Sequence, residues 1–375
     1  MSNKKIMFVI GTRPELIKMA PVILAVKNTG KEKYCVVNTG QHRELLDKYW
    51  GVFDIKPDYS LDIIVPGQDL SSLTARAINQ LNQLVNDLKE KGDEPRMIIA
   101  QGDTTTVMAT SLVSFYQNIP FVHLEAGLRS HDLQQPFPEE MNRRVAGIIA
   151  SCHLAPTTMA KENILRESQN VSPVHVVGNT VIDALEFIRS SKAFKGLAFT
   201  DKRVLETYEN AKDIVLITCH RRENQNENLS ELMSAVEQLA NENKETFFVW
   251  PLHANPKVKN RVIESPLQKL SNVILTDPLD YLELIKILSK CKIVLTDSGG
   301  IQEEAPSFKI PVLVLRDKTE RPEAVEMGIS VIVGCNKTKI IDSYYNFKPV
   351  FPDNFVNPYG DGEAAARIEN ILSAI

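Results

Sequence analysis

Cysteine is scarce and unpatterned in this sequence. Five thiols (Cys35, Cys152, Cys219, Cys291, Cys335) are scattered through 375 residues, never as C-x-x-C. No disulfide framework or zinc site follows from such a distribution. It predicts reduced, mostly buried thiols in a cytoplasmic protein. Long apolar runs are missing as well, none approaching the ~18–20 residues of a membrane helix. The stretch Ile6–Ile10 is too short for a signal peptide, with Arg13 and Glu15 close behind, and reads as a first buried strand. Positive charge is not in excess, the formal net charge being −4. A general surface for nucleic acid or anionic membrane is therefore not expected, and any anionic ligand must be held by local Arg and Lys. Repeats and low-complexity tracts are absent. So are G-x-x-x-x-G-K-[ST] and G-x-G-x-x-G, which removes support for nucleotide kinases and the usual nicotinamide fold.

What is present is ample apolar material, 43% of residues, in a chain long enough for two domains. Short β-branched runs alternate with helix-period segments nearly from end to end. Predicted strands are Ile6–Ile10, Tyr34–Asn38, Met97–Ala100, Pro120–Leu124, Val174–Val177, Ile214–Thr218, Thr246–Trp250, Val273–Thr276, Lys292–Thr296 and Pro311–Leu315. Continuous apolar strands of this kind are covered on both faces. Leu70, Leu73, Ile78, Leu81, Leu84 and Leu88 mark one long amphipathic helix. The fold class is α/β, two doubly wound parallel-sheet domains facing a central cleft. A stretch without periodicity at 190–212 sets the boundary, giving domains 1–185 and 186–360. A proline-bearing connector then leads to a last helix within 361–375.

Several groups suggest chemistry. Gly11-Thr-Arg13-Pro-Glu15 follows the first strand and opens a helix carrying Lys18. Its backbone N–H groups suit an anion, or the turn is a plain helix cap with a solvated Arg13. Ser298-Gly299-Gly300 follows a strand in the second half and has the form of a phosphate cradle, or of a glycine turn with Ser298 as N-cap. Three carboxylates stand near strand ends: Asp103, Glu125 and Glu139. Asp103 has a rival role as cap of the helix at Thr105. Glu125, directly after a buried strand, must find a partner or a task. His220, Arg221 and Arg222 end the first strand of the second half, an imidazole for proton work beside guanidiniums for phosphate. Arg321 either binds ligand or is solvated, and among the histidines His153 and His175 read as structural.

Taken together, these segments resemble the non-hydrolysing UDP-N-acetylglucosamine 2-epimerases. The matching stretches are GTRPELIKMAP (11–21), GDTTT (102–106), EAGLR (125–129), PFPEEMNR (136–143), GNTVIDAL (178–185), HRREN (220–224), TDSGGIQEEAP (296–306), RDKTERPEA (316–324) and NPYGDGEA (357–364). The resemblance implies a glycosyltransferase-B type fold, the final helix packing back on the first domain. It implies interconversion of UDP-GlcNAc and UDP-ManNAc for cell-surface polysaccharide, without nicotinamide or metal. The protein would be a homodimer with a UDP-sugar substrate and no nucleic-acid or membrane partner. Arg13, Lys18, Arg143, Ser298, Gly299, Gly300, Glu304 and Arg321 match substrate-binding positions, while Asp103, Glu125, Glu139 and His220 match catalytic ones. Gln41, His42, Arg221 and His253, with Glu139, match positions of a second, regulatory UDP-GlcNAc. Glu44 and Gly67 depart from that pattern, as do Leu279 near the uracil and Gln101 and Cys219 beside Asp103 and His220.

These residue types suit the reaction the resemblance implies. The C2 proton is not adjacent to a carbonyl, so departure of UDP from C1 must make it acidic, and elimination leaves 2-acetamidoglucal plus UDP. The site then needs a base on one sugar face, an acid on the other, and a firm hold on diphosphate. His220 would serve the β-phosphate as imidazolium. A sister epimerase on another UDP-2-acetamido sugar is the nearest alternative. A glycosyltransferase of the same fold or a turnover-free nucleotide-sugar regulator stands further off.

Overall fold

The computed structural model describes every residue except 1–3, 42, 66, 168–171, 222–223, 225–226 and 254, and the side chains of 43–45 are also left aside. The chain forms two compact units, residues 1–187 with 359–375 and residues 188–358. The first unit holds β1 (Ile6–Ile10), β2 (Tyr34–Asn38), β3 (Tyr59–Ser60), β4 (Met97–Gln101), β5 (Phe121–Leu124), β6 (Cys152–Ala155) and β7 (Val174–Val176). Its helices are α1 (Arg13–Thr29), α2 (Arg43–Val52), α3 (Leu70–Glu90), α4 (Thr105–Tyr116), α5 (Glu139–Ile149), α6 (Thr158–Glu167) and α7 (Thr180–Ser190), the last running into the second unit.

The second unit begins with α8 (Lys192–Lys195) and α9 (Lys202–Asn210), within the stretch read above as lacking periodicity. Both are short, and α9 buries only Val204 and Thr207, too few positions to display a period. Then come β8 (Asp213–Thr218), α10 (Glu227–Glu242), β9 (Thr246–Pro251), α11 (Pro256–Ile263), β10 (Val273–Thr276), α12 (Tyr281–Leu288), β11 (Ile293–Thr296), α13 (Gly299–Glu304), β12 (Val312–Val314), α14 (Glu323–Glu326), β13 (Ser330–Ile332) and α15 (Lys337–Asn346). The chain returns to the first unit as α16 (Ala364–Ala374). Ile368 and Leu372 of α16 are buried, and Asp183 of α7 accepts from the Ala365 N–H at 2.8 Å.

Both sheets are parallel throughout, ordered β3-β2-β1-β4-β5-β6-β7 and β10-β9-β8-β11-β12-β13. Every residue of β1 and β4 is buried, as helices on both faces require. Leu73, Ala77, Leu81, Leu84, Val85 and Leu88 of α3 join Met7, Val9 and Ile98 in one core. Each such leucine contributes about 1.5–3 kcal/mol when fully removed from water. Leu70 and Ile78, on the same expected stripe, are exposed and half-buried instead. In both sheets the chain starts centrally, builds to one side, then returns to build the other. Strand order therefore reverses between β1 and β4 and between β8 and β11. At such a point the loops leave for opposite faces and open a ligand crevice at the strands' carboxyl ends.

Candidate active site

At the first unit's switch point, β1 is followed by Gly11. A Cβ there would lie 2.3 Å from Thr106 Oγ1 and 2.6 Å from Thr39 Oγ1, so the turn admits only glycine. Two of its N–H groups, those of Gly11 and Thr12, are taken by the chain itself, which favours the helix-cap reading of the turn. Gly11 N donates to Glu15 Oε2 at 2.6 Å and Thr12 N to the same oxygen at 3.3 Å. Glu15 is fully buried, and desolvation pushes its carboxyl up to about 7 against the pull of those hydrogen bonds and the Thr104 side chain.

Lys18, one turn into α1, is likewise engaged with the chain's own charge. Its Nζ lies 2.6 Å from Glu125 Oε2, with both side chains buried. Gln101, closing β4, donates Nε2 to the same oxygen at 2.6 Å. Glu125 itself takes φ 63°, the left-handed region a non-glycine residue rarely occupies. Two residues beyond Gln101 stands half-buried Asp103. Arg143 pairs with its carboxylate, and Asn142 Nδ2 donates to its carbonyl at 2.8 Å. Asp103 is not the cap of α4, because Thr104 Oγ1 fills that role, accepting from Val107 N. His123 fixes the intervening Gly102, its Nε2 lying 2.7 Å from the Gly102 carbonyl. Burial drives His123 to about 3 and His153 to about 4, so both are neutral and structural. Glu139 is the half-buried first residue of α5, beside buried Glu140, which pairs with Arg144 and Arg143. Arg13 is half-buried with its guanidinium 5.8 Å from the Tyr49 ring centroid.

In the second unit the organising group is one the sequence reading does not single out, Asp297. Fully buried directly after β11, it accepts from His220 N (2.9 Å), Arg221 N (2.9 Å) and Asn224 Nδ2 (2.9 Å). It thereby ties the loop after β8 to the end of β11 across the switch point. The signal was available: like Glu125, Asp297 is a carboxylate following a buried strand. His220 lies 5.6 Å, ring to ring, from His253, whose Nδ1 accepts from Asn255 N. Burial lowers His220 below the usual imidazole range and His253 adds to this, with Asp297 opposing. Its expected imidazolium form is thus not favoured by the protein alone.

Ser298 precedes α13 but does not cap it with its side chain, and its N–H donates to Thr296 Oγ1 at 2.9 Å. Gly299 has a packing reason: a Cβ would sit 2.6 Å from the guanidinium carbon of Arg321. Gly300, next in the helix, is half-buried. Arg321 is buried between Glu303 (2.7 Å) and Glu320 (2.9 Å), which excludes the solvated reading. Glu304, also buried, accepts from the Tyr281 hydroxyl at 2.6 Å. Of the regulatory positions, Gln41 accepts from Thr106 Oγ1 at 2.8 Å and Arg221 is half-buried, while His42 lies outside the described residues.

Among the described residues no His, Cys, Asp or Glu cluster could hold a metal, and no helix is long and apolar enough to cross a membrane. All five cysteines are buried and unpaired. The family model described as UDP-N-acetylglucosamine 2-epimerase matches residues 24–373. The Campylobacter jejuni UDP-N-acetylglucosamine 2-epimerase is 41% identical over 383 residues, 98% of this chain and 97% of that protein. The crystal structure of the Neisseria meningitidis UDP-GlcNAc 2-epimerase bound to UDP-GlcNAc has a TM-score of 0.87 at 41% identity, covering 99% of this chain and 100% of that one. The S. aureus MnaA–UDP co-structure gives 0.86 at 40%, covering 99% and 96%. The architecture is accordingly of the glycosyltransferase-B type.

Proposed function

The chain belongs to the UDP-N-acetylglucosamine 2-epimerase family, and from that membership we propose that it interconverts UDP-GlcNAc and UDP-ManNAc by inverting C2. The observation that carries the reading is Glu125, a buried carboxylate on left-handed backbone at the end of β5, one strand from the switch point, gripped by Lys18 and Gln101. Such an arrangement is costly unless used.

The reaction proceeds by elimination and re-addition. The C2–H bond breaks and its proton passes to a carboxylate, Glu125 or Asp103. That electron pair becomes the C1–C2 double bond while the C1–O bond breaks, its pair leaving with UDP. Protonation of 2-acetamidoglucal on the opposite face and return of UDP to C1 give the epimer. Glu139 relays protons. His220, Arg13, Ser298-Gly299-Gly300 and Arg321 hold the diphosphate, Glu304 contributes to nucleotide binding, and Arg143 sets the Asp103 carboxylate. Incoming diphosphate charge raises the proton affinity of His220, so the imidazolium forms with the substrate rather than before it.

We place the enzyme in the cytoplasm, where its thiols stay reduced, supplying ManNAc units for surface polysaccharide, and we propose that it works as a homodimer. The test is incubation with UDP-GlcNAc and a panel of other UDP-2-acetamido sugars, followed by NMR. Formation of UDP-ManNAc to a fixed equilibrium ratio is expected. Turnover of another panel member alone would reassign the substrate.

A further inference from the structure

Gln101 closes β4 and is only 4% exposed. In the sheet register it lies opposite Leu124, the residue before Glu125. Its amide is thus rooted one strand away from the carboxylate it contacts, with Nε2 donating to Glu125 Oε2 at 2.6 Å. Lys18 reaches the same oxygen at 2.6 Å from α1. The two donors are not equivalent. Lys18 supplies charge at the end of a long flexible stem, whereas Gln101 supplies direction from a short side chain on rigid sheet. Glu125 sits on left-handed backbone, φ 63°, where its own chain offers a poor foundation for a fixed side chain.

Resting on the reading of Glu125 as a proton-transfer group, we propose that Gln101 is a positioning residue that aims the Glu125 carboxylate at C2 of the sugar. An amide donor keeps this hold at every working pH, because it does not titrate. Imidazole in the same place would gain and lose a proton between about pH 5 and 8. Leucine would preserve bulk and remove the donor.

The test compares Gln101→Leu, Gln101→His, Glu125→Gln and the double variant Gln101→Leu/Glu125→Gln, using UDP-GlcNAc with hydrogen or deuterium at C2. Misplacing a catalytic group by about 1 Å costs on the order of 10²-fold. Gln101→Leu is therefore expected to lower kcat by about 10–100-fold, with KM within about three-fold of the wild type. The C2 isotope effect should rise, because proton transfer becomes more rate-limiting. The double variant should be no slower than Glu125→Gln, since both changes act on one group. Gln101→His should add an ionisation to the kcat profile. A fall in kcat with an unchanged isotope effect would signify loss of folded enzyme and overturn the proposal. Normal turnover in Gln101→Leu beside an inactive Glu125→Gln would overturn it while leaving Glu125 in place. Normal turnover in Glu125→Gln would remove the reading of Glu125 on which it rests.

Discussion

Glu125 shows most plainly how single residues carry the site. Left-handed backbone on a non-glycine residue costs about 1–3 kcal/mol and persists only where neighbours over-determine it. Here Lys18 and Gln101 do so. Asp103→Asn and Glu125→Gln should each lower turnover by at least ~10²-fold and leave UDP affinity within a few-fold, read by steady-state kinetics and calorimetry. His220 gives a pH prediction. Burial lowers its imidazole, and the diphosphate that the proposed function sets beside it would raise it again. UDP binding should therefore take up protons, and affinity should weaken as pH rises through the bound-state value. Calorimetry in buffers of different ionisation enthalpy should reveal the uptake, and His220→Gln should abolish it. Asp103 and Glu125 are legible in the sequence because acid directly beyond a buried apolar strand is conspicuous. Asp297 obeys the same rule, yet the glycines after it carry the phosphate reading. Glu15 is not legible, since an acid in a first helical turn normally faces water.

The β1–α1 element turns on that hidden acid. Glu15 satisfies the N–H groups of Gly11 and Thr12, so the turn is closed by the chain itself rather than by a ligand. Its carboxyl rises from 4.5 to about 7 in the fold. Between those values the folded state holds the proton the unfolded state has released, so stability falls as pH rises across the window. The contribution is whole below about 4.5 and gone above about 7. The shift corresponds to roughly 3 kcal/mol. Glu15→Gln should flatten this decline, so that urea midpoints at pH 5 and pH 8 lie closer together than in the wild type. An unchanged difference would show that another group governs the window. At this scale the long strands and α3 are legible from apolar runs and period, whereas β3, two residues long, is too short to display either, and β6 (Cys-His-Leu-Ala) and β13 (Ser-Val-Ile) are not among the predicted strands.

On the scale of the whole molecule, two sheets of matching strand order each reverse that order once, between β1 and β4 and between β8 and β11, beside the residues of the proposed site. The sequence alternation predicts parallel sheets but not the order, which depends on which strands pair at long range. It also cannot mark outward-facing apolar residues. Leu70 of α3, Phe115 of α4, and Met141 and Ile148 of α5 lie along three adjacent helices, Phe115 being 66% and Ile148 85% exposed. A pocket of about 500 Å³ lies among them, lined by Leu70, Ile78, Met108, Phe137 and Met141. A second copy is the occupant proposed for this face. Phe115→Glu/Ile148→Glu should halve the mass measured by light scattering, and an unaltered dimer would place the interface elsewhere.

The claim most worth testing is that C2 itself exchanges its proton. Incubated with UDP-GlcNAc in D₂O, the enzyme should return both UDP-GlcNAc and UDP-ManNAc carrying deuterium at C2. Glu125→Gln should leave the substrate protonated. Epimer formed without deuterium at C2, or UDP released only when a sugar acceptor is added, would contradict the account.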